Sequence, residues 1–205
     1  MNLLITGGSG FFGKSLLSYF CENNPGLKKI ILLSRHPEKI EKVLDINSFP
    51  FLVEYITQDI QEPILFNEPV DYIIHAATES STSVGVSDPL LMRNVVVQGT
   101  INVLDYAKRE KVKRILFVSS GAVYGKQPKD LSHISENHNN APNPLIPLLT
   151  YGCAKRQAEN LFSLYKHHYD LDFVVARCFA FVGPYLPLDV HFAIGNFIRD
   201  GINGG

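Results

Sequence analysis

The chain has 205 residues, 19 Lys and Arg against 20 Asp and Glu, and 45% hydrophobic content. A chain of that length buries roughly 70% of the surface it exposes when unfolded, which excludes a disordered tail and describes one soluble domain. A formal net charge of −1, with no run of like charges, gives no field to draw in nucleic acid or an anionic membrane. Small molecules are therefore the expected partners.

Short apolar runs alternate with longer helical patterns from the first residue onward, the pattern of a doubly wound α/β fold, a parallel sheet covered by helices on both faces. The spacing predicts strands over 3–6, 29–33, 51–56, 72–75, 114–118 and 173–177, each rich in Ile, Leu, Val or Phe. Helices are predicted over 12–22, 89–108, 151–168 and, shorter, 192–200. The helix over 89–108 carries Leu, Val and Ile nearly all round, which predicts burial on more than one side. Residues 125–150 carry Pro128, Pro142, Pro144 and Pro147 among Asn and His residues, a long irregular excursion of the kind that sits over active sites.

The first strand runs into Gly7-Gly8-Ser9-Gly10-Phe11-Phe12-Gly13 and then into an amphipathic helix. A glycine turn in that place lets main-chain N–H groups and a helix N-terminus receive a phosphate. Two readings compete here. Gly7, Gly10 and Gly13 make a dinucleotide turn with Phe11 and Phe12 at the helix start; Gly8, Gly13, Lys14 and Ser15 complete the phosphate-loop pattern of a nucleoside triphosphatase. A triphosphatase also needs an aspartate at the end of a later strand to hold magnesium. The later strands end in His75-Ala76-Ala77 and Ser119-Ser120-Gly121, so the dinucleotide turn is preferred.

The second strand ends Leu33-Ser34-Arg35, where NAD-binding domains place an acidic residue against the ribose and NADP users a cation. Arg35 can pair with a 2′-phosphate, so NADP is favoured and NAD stays possible; the plain alternative is a solvated surface arginine. Asp59-Ile60 follows the third strand, placed to reach an adenine or to make an ordinary turn. Tyr151 and Lys155, four apart on a predicted helix, share a face. The lysine charge is expected to pull the phenol below its ordinary value of about 10, making Tyr151 a usable general acid or base.

Together TGGSGFFG at 6–13, HAAT at 75–78, VSSGAVYG at 118–125, YGCAK at 151–155 and RCFAFVGP at 177–184 resemble the extended short-chain dehydrogenase/reductases. Within them the similarity is to the NAD(P)-dependent nucleotide-sugar epimerases, dehydratases and reductases, along nearly the whole chain. The resemblance implies a Rossmann-type NAD(P)-binding domain over 1–180 and, over 181–205, the start of a substrate-binding region largely missing from the chain. It implies catalysis by Tyr151, Lys155 and Ser120, since the hydroxyl residue four before Tyr124 aligns with the catalytic one. Ala76 and Ala77 are implied at the cofactor, Glu79, Ser80 and Tyr124 at the substrate, and a homodimer through helices including 89–108. The reaction implied is oxidation or reduction of a nucleotide-linked sugar at C4 through a keto-sugar.

Some positions depart from the pattern. Gly121-Ala122 stands where 4,6-dehydratases carry Asp-Glu, so elimination by that route is not expected. Val96 and Ala180 replace asparagines usual in the family. These departures keep open an NADP-binding regulatory or redox-sensing protein without turnover, with the triphosphatase behind it. Cys21, Cys153 and Cys178 make no C-x-x-C pair, and the histidines have no metal-ligand spacing, so neither a disulfide framework nor a metal is expected. The opening MNLLITGGSG has no basic leader, and no apolar run approaches the ~20 residues of a membrane span. A reducing cytoplasm is the expected location. The chain ends at Gly205 with no further strand, so the apolar surface near 181–205 is expected to be exposed.

Overall fold

A computed structural model describes residues 1–78, 87–188 and 193–204. Six strands form one sheet: β1 (Asn2–Thr6), β2 (Lys29–Ser34), β3 (Leu52–Thr57), β4 (Tyr72–His75), β5 (Arg114–Ser120) and β6 (Phe173–Cys178). Their order is β3-β2-β1-β4-β5-β6, and every pairing is parallel. This is the doubly wound arrangement expected from the alternation of apolar runs and helical patterns. The α-helices among the described residues are α1 (Phe11–Glu22), α2 (Pro89–Arg109), α3 (Thr150–Tyr169) and α4 (Ala193–Ile202). The last was predicted over 192–200; Phe192 lies outside the described residues.

The period of two along each strand divides the core into two layers. Leu4, Ile31, Leu33, Ile73 and Ile115 face one cluster with α2 and α3, while Leu3, Ile5, Ile30, Leu32 and Ile74 face another with Leu17 of α1. Both faces of the sheet are thus covered at its centre, which is why β1 and β2 read as continuous apolar runs. Asp88 caps α2 by accepting from the N–H of Leu91 at 2.9 Å, and Pro89 opens the helix. Residues along α2 from Met92 to Ala107 are buried on several sides, Val96 among them. Val96 therefore packs in the core. Gly99 lets α2 approach closely, because a Cβ there would lie 2.9 Å from Cγ2 of Ile60.

β4 ends at His75, a polar side chain 1% exposed and stacked on Phe117 at 5.5 Å. Its Nδ1 lies 2.7 Å from Thr6 Oγ1 and its Nε2 3.2 Å from Thr100 Oγ1. Thr100 donates to the Val96 carbonyl, so it accepts from Nε2–H, while Nδ1 accepts from Thr6. One neutral tautomer satisfies all of these groups. Burial, with the charge of Lys155 second, pushes the imidazole down from 6.5 to about 3.

The unfolded chain takes up a proton at His75 below pH 6.5, whereas the folded chain does so only near 3. A depressed histidine leaves stability intact above 6.5 and removes it as the pH falls through that window. Urea midpoints of the wild type should decline between pH 6.5 and 4, and His75→Gln should lose about one proton's share of that slope. An identical slope in the variant would contradict the assignment.

Candidate active site

The parallel strands end along one edge, and the motif residues meet there. Gly7 opens the turn after β1 with φ +74°, and a Cβ at this position would lie 2.8 Å from the main chain of Ala77. The turn therefore rests on the Ala76-Ala77 segment after β4. A Cβ on Gly13 would lie 2.0 Å from the Gly8 carbonyl oxygen, so only glycine allows α1 to start this close to the turn. Gly10 caps α1 without a side-chain hydrogen bond, and the first turn holds no acidic residue. The N–H groups of Phe11, Phe12 and Gly13 thus have no acceptor within the helix, and the positive end of the helix is uncompensated. These features suit a pyrophosphate. Ser15, which the phosphate-loop reading would assign to magnesium, instead donates from its hydroxyl to the Pro184 carbonyl at 3.3 Å.

Ser34 ends β2 and meets Ser9 of the glycine turn, hydroxyl to hydroxyl at 2.5 Å. Arg35 follows it and is exposed. Asp59 accepts from the N–H of Gln61 at 2.9 Å and so closes its own turn. Ile60 is a core residue, 6% exposed, with its carbonyl bound by Asn102 at 2.8 Å. Any ligand contact here falls to Asp59 or to the main chain. Beside the glycine turn, Phe11, Phe12, Phe181, Val182, Gly183 and Pro184 line an apolar hollow of about 270 Å³. In the later segment Val182, Phe197 and Ile202 expose more than half of their surface, while Leu186 is buried.

Ser120, Tyr151 and Lys155 are brought together where β5 and α3 meet. Ser120 ends β5, pairs in register with Cys178 of β6, and accepts from the N–H of Ala122 at 3.2 Å. The hydroxyl of Ser120 lies beside the Tyr151 phenol, and that of Thr78 is buried there with no hydrogen-bond partner among the described residues. Lys155 is 1% exposed; its Nζ donates to the Val118 carbonyl at 2.8 Å and lies 5.8 Å from the centre of the Tyr151 ring. Burial pushes this ammonium down to about 8, opposed by Cys178 and Glu159.

The direction expected for Tyr151 is corrected by the structure. Burial raises the phenol above 10, and the hydroxyl of Ser120 lowers it only in part. Desolvation of the phenolate outweighs what a lysine bound to a carbonyl supplies. Tyr124, matched by resemblance to substrate, is 3% exposed; its hydroxyl accepts from Arg177 Nη1 at 2.9 Å, and its ring stacks on Phe179. Its place here is in packing. Glu79 and Ser80 lie outside the described residues.

Several site residues had no role assigned from the sequence. Thr78 lies in the HAAT segment and Arg177 and Cys178 in RCFAFVGP, but nothing in a single sequence says that β4 and β6 end beside the Tyr151 helix. Glu159 follows Lys155 by four on the same helix, the spacing that paired Tyr151 with Lys155, and that signal could have found it. Among the described residues no group of three His, Cys, Asp or Glu is placed to hold a metal ion, and no helix is long and apolar enough to cross a membrane.

The fold has counterparts among solved structures. A UDP-N-acetylglucosamine 4-epimerase from Methanobrevibacter ruminantium M1 superposes with a TM-score of 0.84 at 25% identity, over 99% of this chain and 63% of the other. The dTDP-glucose 4,6-dehydratase DesIV from Streptomyces venezuelae, solved with NAD bound, gives 0.79 at 26% identity over 100% and 63%. UDP-glucuronic acid decarboxylase 3 of Arabidopsis thaliana is 31% identical over 209 residues, all of this chain and 58% of that protein. The chain spans little more than half the length of the curated relatives it matches first. The family model of the NAD dependent epimerases and dehydratases matches residues 3–203, and the chain belongs to that family.

Proposed function

We propose that the chain is the cofactor-binding and catalytic part of an enzyme that oxidises or reduces a nucleotide-linked sugar through a keto-sugar. The observation that carries this is the convergence of the Ser120 and Tyr151 hydroxyls with buried Lys155 at the edge that also holds the glycine turn. The nucleotide-sugar relatives support the substrate class. In the proposed division, residues 1–180 bind the dinucleotide and 181–205 begin the substrate-binding region. A homodimer through α2 and α3, in a reducing cytoplasm, completes the reading.

Gly7, Gly10 and Gly13 would admit the pyrophosphate to the N–H groups of Phe11 and Phe12, with Ala76 and Ala77 against the turn. Bound there, the nicotinamide supplies hydride acceptance and return. Tyr151 takes the proton of the sugar hydroxyl, or gives it back in reduction, and Ser120 hydrogen-bonds the same oxygen. Burial keeps the resting phenol protonated and ready to donate. To accept, it relies on the Lys155 cation one helical turn away. Gly121-Ala122 provides no acid and base pair for loss of water, so epimerisation or reduction is favoured over dehydration.

Tyr151→Phe removes only the phenolic oxygen. Turnover on a panel of UDP-, dTDP- and GDP-sugars should fall by about 10²-fold or more, while dinucleotide affinity stays nearly unchanged. Turnover within a few-fold of the wild type would contradict the assignment.

The finer cofactor preference rests on Ser34-Arg35. The related dehydratase DesIV holds NAD. A cation after β2 in place of a carboxylate favours the 2′-phosphate of NADP, by about 1.5–3 kcal/mol for a charge-assisted contact. Titration should therefore give tighter binding of NADP than of NAD, and Arg35→Ala should remove the difference. Equal affinities in the wild type would assign Arg35 to the solvated surface.

A further inference from the structure

Lys155 is a cation withdrawn from water, and the hydrogen bond it makes, to the Val118 carbonyl, is to a neutral group. A buried ammonium in that position needs a negative charge close by. The groups that face it among the described residues can be taken element by element. From α3 come Tyr151 and Glu159; from β4, neutral His75; from β6, Cys178, with Arg177 next to it; from β5, the Phe117 ring at 4.8 Å and no titratable group. Burial raises the Cys178 thiol, so it is uncharged at neutral pH, as is the phenol of Tyr151. Glu159 is the carboxylate that acts on Lys155.

Glu159 is held from several sides. Ser119 donates to its Oε1 at 2.6 Å; Arg177 reaches the same oxygen with Nε at 3.0 Å and Oε2 with Nη2 at 2.8 Å. Arg177 in turn donates to the Tyr124 hydroxyl and the Glu136 carbonyl, both at 2.9 Å. The pair is lopsided in its exposure, with the Arg177 side chain 30% exposed and that of Glu159 14%. The arginine is the more solvated of the two, and it is the carboxylate whose charge acts on Lys155. A bridge that served only to join α3 to β6 would not need its acid four residues from the buried lysine.

We propose that Glu159, fixed by Ser119 and Arg177, is a positioning residue whose carboxylate keeps Lys155 charged in its buried place beside Tyr151. The proposal builds on Tyr151 and Lys155 as the catalytic pair, but the charge of Lys155 can be read without turnover.

The test is the titration of Lys155 in the full chain, followed by the 13Cε resonance of labelled lysine and assigned by its loss in Lys155→Arg. In Glu159→Gln the midpoint should fall by about one pH unit or more. The double variant Glu159→Gln with Arg177→Met removes both halves of the bridge, leaves no unpaired arginine, and should show the same direction of shift. In turnover, the alkaline limb of the kcat profile should move down with the midpoint. A folded variant of either kind whose Lys155 titrates as in the wild type would overturn the proposal. If the titration moves but Tyr151→Phe keeps its turnover, the catalytic reading fails and this one stands. If Tyr151→Phe is inactive and the titration stays, this one fails alone.

Discussion

A parallel sheet sends every strand out at the same edge, and the chain must cross back over a face before it can begin the next strand. That constraint places the candidate groups among the described residues. The glycine turn follows β1, Ser34 ends β2 with Arg35 after it, Asp59 follows β3, Ala76-Ala77 follows β4, and Ser120 ends β5. Because β1 lies between β2 and β4, the crossovers depart in opposite directions from it and leave a crevice between their first turns. Gly7, pressed against Ala77, marks the floor of that crevice. The long excursion after β5 returns the chain to α3, which carries Tyr151 and Lys155 over the same edge.

The site is costly to hold together, and its surroundings offset that cost. A lysine and a histidine are buried and a tyrosine partly buried within one region, and desolvation shifts each toward its neutral form. His75 is accommodated as a single neutral tautomer between two threonines. Lys155 keeps a carbonyl and the nearby carboxylate of Glu159. Tyr151 keeps the hydroxyl of Ser120 beside it. The proton that the proposed reaction moves thus sits among groups whose charge is set by packing, and small changes in that packing become changes in chemistry.

The strands and helices were legible because the centre of the sheet is buried on both faces, which writes β1 and β2 as runs of Ile and Leu. β5 extends past its apolar stretch to Ser119 and Ser120 because those residues still pair with Arg177 and Cys178 of β6. Polar residues that end a strand at a site do not look like strand in a sequence. The glycine turn was legible for a steric reason, since Gly7 and Gly13 admit no Cβ, but the pattern alone also matched a phosphate loop; the bond from Ser15 to Pro184 argues for the dinucleotide reading. Tyr151 and Lys155 were legible from helical spacing. The direction of the phenol's shift was not, because it depends on how deeply β5, β6 and α3 enclose it. The Glu159–Arg177 bridge joins a helix to a strand 18 residues on, a relation that only the packing of α3 against β6 creates.

The central claim is that one crevice, between the glycine turn and the Tyr151 helix, receives a dinucleotide. A crystal structure of this chain with NADH bound tests it most directly. The account predicts the pyrophosphate at the N–H groups of Phe11 and Phe12, and the nicotinamide ribose within hydrogen-bonding distance of Lys155, with Tyr151 beside the ring. A pyrophosphate bound away from the glycine turn, or a nicotinamide remote from Tyr151, would contradict it.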